Sequence, residues 1–252
     1  MGVHGVAFFE NVDNGTTAFG GVAALRSEID KVNGDDYFVH SIFNKLIGVY
    51  VLSTVTTRAR LSAPSIKKAA LFELSPLDNA AEPPSRPAFI DLRKSFVQLE
   101  SGEQLNVQDM NSGGAGVDHW GLIWLCDELP TPVEAAEIIH IRATNATTLV
   151  DSAWTNGSLT LDEDLPVGEY DVIGMKAMSA GLIAARAVFE GQINRPMVIG
   201  CDAVTDVDEP LFRDGRMGVF GRMQHDTPPT IDFLSLSADT AQVVWLDLVK
   251  VG

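Results

Sequence analysis

The chain has little positive charge: 18 lysines and arginines stand against 34 aspartates and glutamates, a formal net charge of −16 over 252 residues. A nucleic-acid backbone is held by clustered Lys and Arg. Neither end carries a basic tail, so direct nucleic-acid binding is not expected. Cysteine is nearly absent. Cys126 and Cys201 each end an expected strand, and two buried free thiols are the expectation over a disulfide, because a secreted disulfide scaffold carries more cysteines. No apolar run reaches the roughly 18–20 residues that span a bilayer. The first residues, MGVHGVAFFENVDNG, lack a basic and then apolar leader and the Ser or Thr of a myristoylation signal, so no signal peptide or acyl anchor is predicted. Asn-x-Ser/Thr triplets at Asn14, Asn145 and Asn156 mark exposed turns.

Recognisable catalytic patterns are also lacking. The five histidines, His4, His40, His119, His140 and His225, do not stand at metal-ligand intervals. Asp118-His119 is the one His beside a carboxylate, and it reads as a surface strand start. His140 alternates with Ile139 and Ile141 and reads as a strand-face residue. Ala177-Met178-Ser179-Ala180-Gly181 resembles a nucleophile elbow only in part, since the first glycine and the following helix are missing. Gly113-Gly114 lacks the Lys of a phosphate loop. Asp202, Asp206, Asp208, Glu209 and Asp214 form the densest acidic cluster. Their spacing is not that of a calcium loop, so a solvated acidic loop is the expectation, with a cation site as the alternative. Trp120, Trp124, Trp154 and Trp245 sit within apolar runs and read as core. No catalytic, cofactor-binding or metal-binding residue is therefore assigned, no cofactor is expected, and the chain is not read as an enzyme.

What the sequence does contain is β-structure, arranged twice. Gly168 to Cys201 reads as strand Tyr170–Met178, a tight Ser179-Ala180-Gly181 turn, strand Leu182–Phe189, a loop, and strand Met197–Cys201. Fragments of it recur earlier in the same order: Tyr50 with Tyr170, Phe72 with Phe189, Arg86-Pro87 with Arg195-Pro196, and the closing Trp124-Leu125 with Trp245-Leu246. Most of these offsets lie near 120 residues, which suggests an internal duplication. The boundary falls in Asp127–Ala136, acidic and holding Pro130 and Pro132. The division expected is an N-terminal arm and helix over 1–35, a first β-domain over 36–130 and a second over 131–252. Val22–Val32 is the helix candidate, its apolar Val22, Leu25, Ile29 and Val32 near helical spacing and Asn33-Gly34 ending it. Leu46–Leu61 reads as one long strand, and Ser75–Pro87, with four prolines, as the longest exposed loop.

The fold class is all-β, two tandem jelly-roll β-sandwiches with a short N-terminal arm and helix, built from short turn-separated strands. Two sandwiches of about 120 residues, the arm, and the Pro-rich and acidic loops together resemble the double jelly-roll major capsid proteins of tailless icosahedral viruses, most of all the compact versions in membrane-containing ones. That resemblance implies a structural protein of the virion. Three copies would form a homotrimeric capsomer of pseudo-sixfold outline and pack into an icosahedral shell. Its partners would be itself, other capsid proteins and, in some viruses, an internal lipid membrane facing the N-terminal arm. The alternative is a carbohydrate-binding or adhesin-like β-sandwich, which calls for exposed aromatic rows. A bicupin needs clustered His and Glu that the chain lacks.

Overall fold

The computed structural model describes residues 2–11, 15, 17–53, 56–66, 73–74, 89–111, 118–135, 137–201 and 209–251. The chain divides into two compact units of nearly equal length, Gly5–Leu129 and Pro130–Gly252, the latter joined by Met1–His4. Among the described residues both are built from strands, with a single 3-10 turn and no α-helix.

In the Gly5–Leu129 unit, one sheet runs β1 (Val3–Asn11), β11 (Asp118–Cys126), β5 (Lys45–Ser53) and β8 (Phe89–Asp91), with β9 (Val97–Gln98) also on β5. A second sheet runs β3 (Val32–Asn33), β4 (Asp36–Phe38), β10 (Gln104–Asn111), β6 (Thr56–Ser62) and β7 (Glu73–Leu74), with β2 (Gly20–Val22) also on β10. Val6 and Phe8 of β1, Val49 of β5 and Ile123 of β11 share one core with Leu61 of β6 and Val107 of β10. β6 and β10 alternate, with Ala59 and Leu61 and then Leu105 and Val107 turned to this core, whereas β1, β5 and β11 carry continuous apolar runs buried on both faces. The apolar run read as one strand over 46–61 is thus two strands, β5 and β6, on opposite sheets of this sandwich.

The helix expected over Val22–Val32 does not form, and residues 3–11 are not a free arm but β1, the edge strand of their sheet. β1 is a sheet strand with Val6, Ala7 and Phe8 fully buried. Residues 23–25 lie along it: Phe9 N–H donates to Ala23 O, Leu25 N–H to Ala7 O, and Phe8 bridges Ala24. Helical propensity is worth tenths of a kcal/mol per residue, and this ladder plus the burial of Val22 and Ala24 outweighs it. Asn33-Gly34, read as a helix stop, is a β-hairpin turn between β3 and β4.

In the other unit, strands β12 (Ile139–Asn145), β13 (Trp154–Gly157), β14 (Thr160–Leu161), β15 (Glu169–Met178), β16 (Leu182–Val188), β17 (Met197–Cys201), β18 (Gly221–Gln224), β19 (Thr230–Ser235) and β20 (Gln242–Lys250) make one curled sheet. Its order is β13-β19-β16-β17-β15-β20-β12-β14, with β18 also on β15. β15, β16 and β17 fall within a residue or two of the sequence reading, but the tight turn joins strands that are not neighbours. β17 sits between them, parallel to β15 through Ala177↔Gly200 and antiparallel to β16 through Ala185↔Val198. Gly181 takes φ +67° at this corner, the left-handed region glycine favours. Tyr170 OH donates to Pro166 O at 2.6 Å, pinning the loop that enters β15.

The paired fragments are only partly equivalent. In each unit the strand with the Tyr pairs antiparallel with the closing Trp-Leu strand. A repeat at the 120-residue Tyr50-to-Tyr170 offset puts Tyr170 against Gln242, since Tyr50 faces Leu122. Tyr170 faces Lys250 instead. Strand pairing is shared and register is not. Phe72 and Arg86-Pro87 lie outside the described residues, as does the loop over 75–87.

Both cysteines are free and buried, as expected. Burial pushes the Cys126 thiol up to about 12. A thiol reagent that needs the thiolate should leave Cys126 untouched in native buffer and label it once the chain is unfolded, read by intact mass.

Candidate functional site

The β12–β20–β15 sheet carries a polar cluster around one buried carboxylate, which accepts from two side chains and a backbone N–H. Strand β20 reads QVVWLDLVK, and Asp247 interrupts its apolar run while fully buried. Register puts His140 of β12 directly opposite Asp247 on one side. Gly174 of β15 lies opposite on the other side, at a point where that pairing shifts register. A Cβ at Gly174 would sit 2.2 Å from Asp247 Oδ2 and 3.0 Å from the Arg213 backbone, so only glycine leaves room for the carboxylate and for the loop that covers it.

That loop begins with the 3-10 turn Pro210–Phe212, whose N-cap Glu209 accepts from Leu211 N–H. Arg213 follows. Its Nε donates to Asp247 Oδ2 and its Nη2 to Oδ1, each at 2.7 Å, the bidentate fork that suits guanidinium to carboxylate. Asp214, at φ +54°, donates its backbone N–H to Oδ2 at 3.0 Å. His140 Nδ1 lies 2.8 Å from Oδ1 and must carry the proton, because a carboxylate only accepts. The 3.5 Å approach of Arg213 Nη2 to the same His140 Nδ1 is then a contact between two donors rather than a bond. Burial alone pushes the Asp247 carboxyl up; the hydrogen bonds from Arg213, Asp214 N–H and His140 outweigh it and hold it below the ordinary carboxylate range.

A ring nitrogen of His140 and carboxylate oxygens of Asp214 and Asp247 come within 4.8 Å of one another, a donor set that by type could hold a cation. Arg213 already supplies the positive charge there, and a metal would have to displace its fork from both Asp247 oxygens. The arrangement is a latch: it fastens the 209–215 loop to the sheet and orients an exposed imidazole.

Ser179, the nucleophile-like residue, is nearly fully buried. Its hydroxyl donates to the Asp239 carboxylate, which also takes Ala180 N–H at 3.2 Å. The hydrogen bond from Ser179, ahead of those from the backbone, holds Asp239 below the usual range. This pair ties the β15–β16 corner to the β19–β20 loop. Of the acidic cluster, Asp202, Asp206 and Asp208 lie outside the described residues, and Glu209 and Asp214 serve as cap and loop backbone. The His119 and Trp120 side chains are likewise undescribed, though both residues belong to β11. Among the other tryptophans, only Trp124 is wholly core. Trp154 is half-buried with the Arg186 guanidinium 4.0 Å from its ring centroid, and Trp245 is half-buried with Lys176 Nζ at 5.0 Å.

Asp247, Arg213 and Asp239 went unassigned in the sequence. The one available signal was Asp247 itself, a carboxylate inside a run that is otherwise apolar.

No protein-family model and no curated protein matches the chain. Solved structures do. The major capsid protein P2 from bacteriophage PM2 is similar at TM-score 0.27 and 12% identity, over 98% of each chain. A xanthan lyase from Paenibacillus is similar at TM-score 0.25 and 11% identity, over 99% of this chain. This chain spans 25% of the lyase's length. At such scores neither likeness carries a functional argument.

Proposed function

We propose that this chain is a structural capsid protein, a shell-forming subunit of the virion without catalytic activity. The observation that carries the reading is the division of one chain into two all-β units of nearly equal length, Gly5–Leu129 and Pro130–Gly252. Two such units per chain give a trimer six β-domains and hence a pseudo-sixfold outline from threefold symmetry. The net charge of −16 suits a subunit whose contacts are with other proteins or an internal lipid layer rather than with genome. Light scattering on the purified protein, with negative-stain images of the same sample, tests this. The expected result is a mass three times the 27.1 kDa of the chain, or shells and hexagonal sheets. A monomer that persists at high concentration and high salt overturns it.

One observation favours a second reading, a carbohydrate-binding sandwich. Trp245 stands half-buried on a sheet face with Arg142 and Lys176 as its cross-strand neighbours, where an aromatic ring can meet a sugar. A glycan screen that returns binding abolished by Trp245→Ala, from a protein that stays monomeric, selects this reading over the first.

A further inference from the structure

We propose that Asn33 is a site of spontaneous covalent modification in the folded protein, deamidating through a cyclic imide with Gly34, and that the chemically identical pair Asn156-Gly157 is protected by the fold.

Asn-Gly is the dipeptide in which this chemistry meets least steric hindrance, since the attacking nitrogen belongs to a residue without a side chain. The Gly34 backbone nitrogen attacks Cγ of Asn33. A nitrogen–carbon bond forms, the bond from Cγ to the amide nitrogen breaks, and ammonia leaves with the proton from the Gly34 N–H. Water then opens either carbonyl of the five-membered ring, leaving an aspartyl or isoaspartyl residue at position 33.

Sequence offers three such pairs, at Asn14, Asn33 and Asn156. Asn14 lies outside the described residues, and the other two are held very differently. Asn33 ends β3 at a two-residue hairpin turn closed by Val32↔Tyr37 and Asn33↔Asp36. Gly34 takes the first central position with φ +60°, and a Cβ there would meet nothing within 4 Å. Asn33 is exposed, and among the described residues no hydrogen bond holds its side chain. Beyond its two residue pairs the turn is held through its carbonyls, Gly34 O accepting from Ala24 N–H and Asp35 O from Asn106 Nδ2, each at 3.0 Å, while among the described residues no hydrogen bond takes the Gly34 N–H, the nitrogen that attacks.

Asn156 is fastened at both ends. Its Nδ2 donates to Thr230 Oγ1 at 3.1 Å and to Asp232 Oδ1 at 2.9 Å. Gly157 is buried in the β13–β19 ladder opposite Ile231. A Cβ on it would lie 2.6 Å from the Asn145 amide, so the backbone there has no room to turn. Cyclisation at Asn156 needs that ladder broken.

The product matters locally. An isoaspartyl link adds a methylene to the backbone between Val32 and Tyr37, whose side chain is in the core. It also adds a negative charge beside Asp35 and Asp36, the latter held by Gln104 and Asn106.

Incubating the folded protein under warm, mildly alkaline conditions and mapping tryptic peptides tests this. The three sites fall in separate peptides, residues 1–26, 32–45 and 143–176. The expected result is the mass gain of amide to acid in the 32–45 peptide, localised to Asn33 by fragmentation. Asn156 should be slower by at least about tenfold, as its ladder must first open. In denaturant the two rates converge, and Asn33→Gln removes the gain. Equal rates at Asn33 and Asn156 in the folded protein overturn the proposal. So does an unmodified Asn33 under conditions where the unfolded chain reacts.

Discussion

Asp247→Ala lowers the stability of the protein by about 3–5 kcal/mol, the range for removing one partner of a buried ion pair. At this chain length that is a fall in melting temperature of roughly 10 °C. The carboxylate is fully buried and accepts from Arg213 twice, from Asp214 N–H and from His140. Its loss leaves those donors facing one another under the 209–215 loop. Asp247→Asn is no milder, because its amide N–H groups would point at donors. The double variant Asp247→Leu with Arg213→Met removes both charges together and recovers part of the loss, since an apolar pair need not be desolvated. The pH dependence has a definite sign. The folded carboxyl titrates below the ordinary value of 3.8, so the stabilisation is fully present above pH 3.8 and is lost as pH falls through the folded value. Melts by circular dichroism should show a constant gap between Asp247→Ala and the parent at neutral pH that narrows below about pH 4. A gap that is constant down to pH 2 assigns the effect to packing instead of charge.

Strand identity was legible in the sequence wherever an apolar run was bounded by turn residues. β15, β16 and β17 are such runs, set off by Gly168, Gly181 and Pro196. Their pairing was not legible, because β17 reaches its place between β15 and β16 through contacts that no local pattern encodes. The same limit explains the 46–61 run: β5 and β6 are equally rich in β-branched residues, and composition does not mark a change of sheet. Val22–Val32 failed for a different reason. Its spacing fits a helix, but β1 offers its backbone to residues 23–25, and that partner lies too far back in sequence for a periodicity to register. The polar latch was hidden because Arg213 sits in a loop and Asp247 in a strand, 34 residues apart. Arg186 is similar: a fully buried arginine in β16, it is paired with Asp232 at 3.2 Å on a neighbouring strand and stacked on Trp154. Nothing near Arg186 in sequence supplies either partner.

Phe8→Ala separates the two accounts of the N-terminal segment. If the N-terminal residues were a free arm, truncating Phe8 would change stability by no more than the few tenths of a kcal/mol typical of a surface site. In the fold Phe8 is a β1 residue with no exposed surface, packed in one core with strands of both sheets of its sandwich. Truncation there removes a buried ring and leaves a cavity in the packed core, for a loss of about 3–5 kcal/mol. Phe19 supplies the control, because it is also aromatic and also N-terminal. It is half-buried with the Arg60 guanidinium 3.9 Å from its ring centroid, and Phe19→Ala should cost no more than about 1 kcal/mol. Chemical denaturation of the parent and both variants reads the difference directly. A large loss at Phe8 with a small one at Phe19 makes β1 part of the folding core of the Gly5–Leu129 unit. An assembly role for the N-terminus would then have to be played by a segment already committed to a sheet, and no free arm over residues 3–11 would be available to reach a neighbouring subunit.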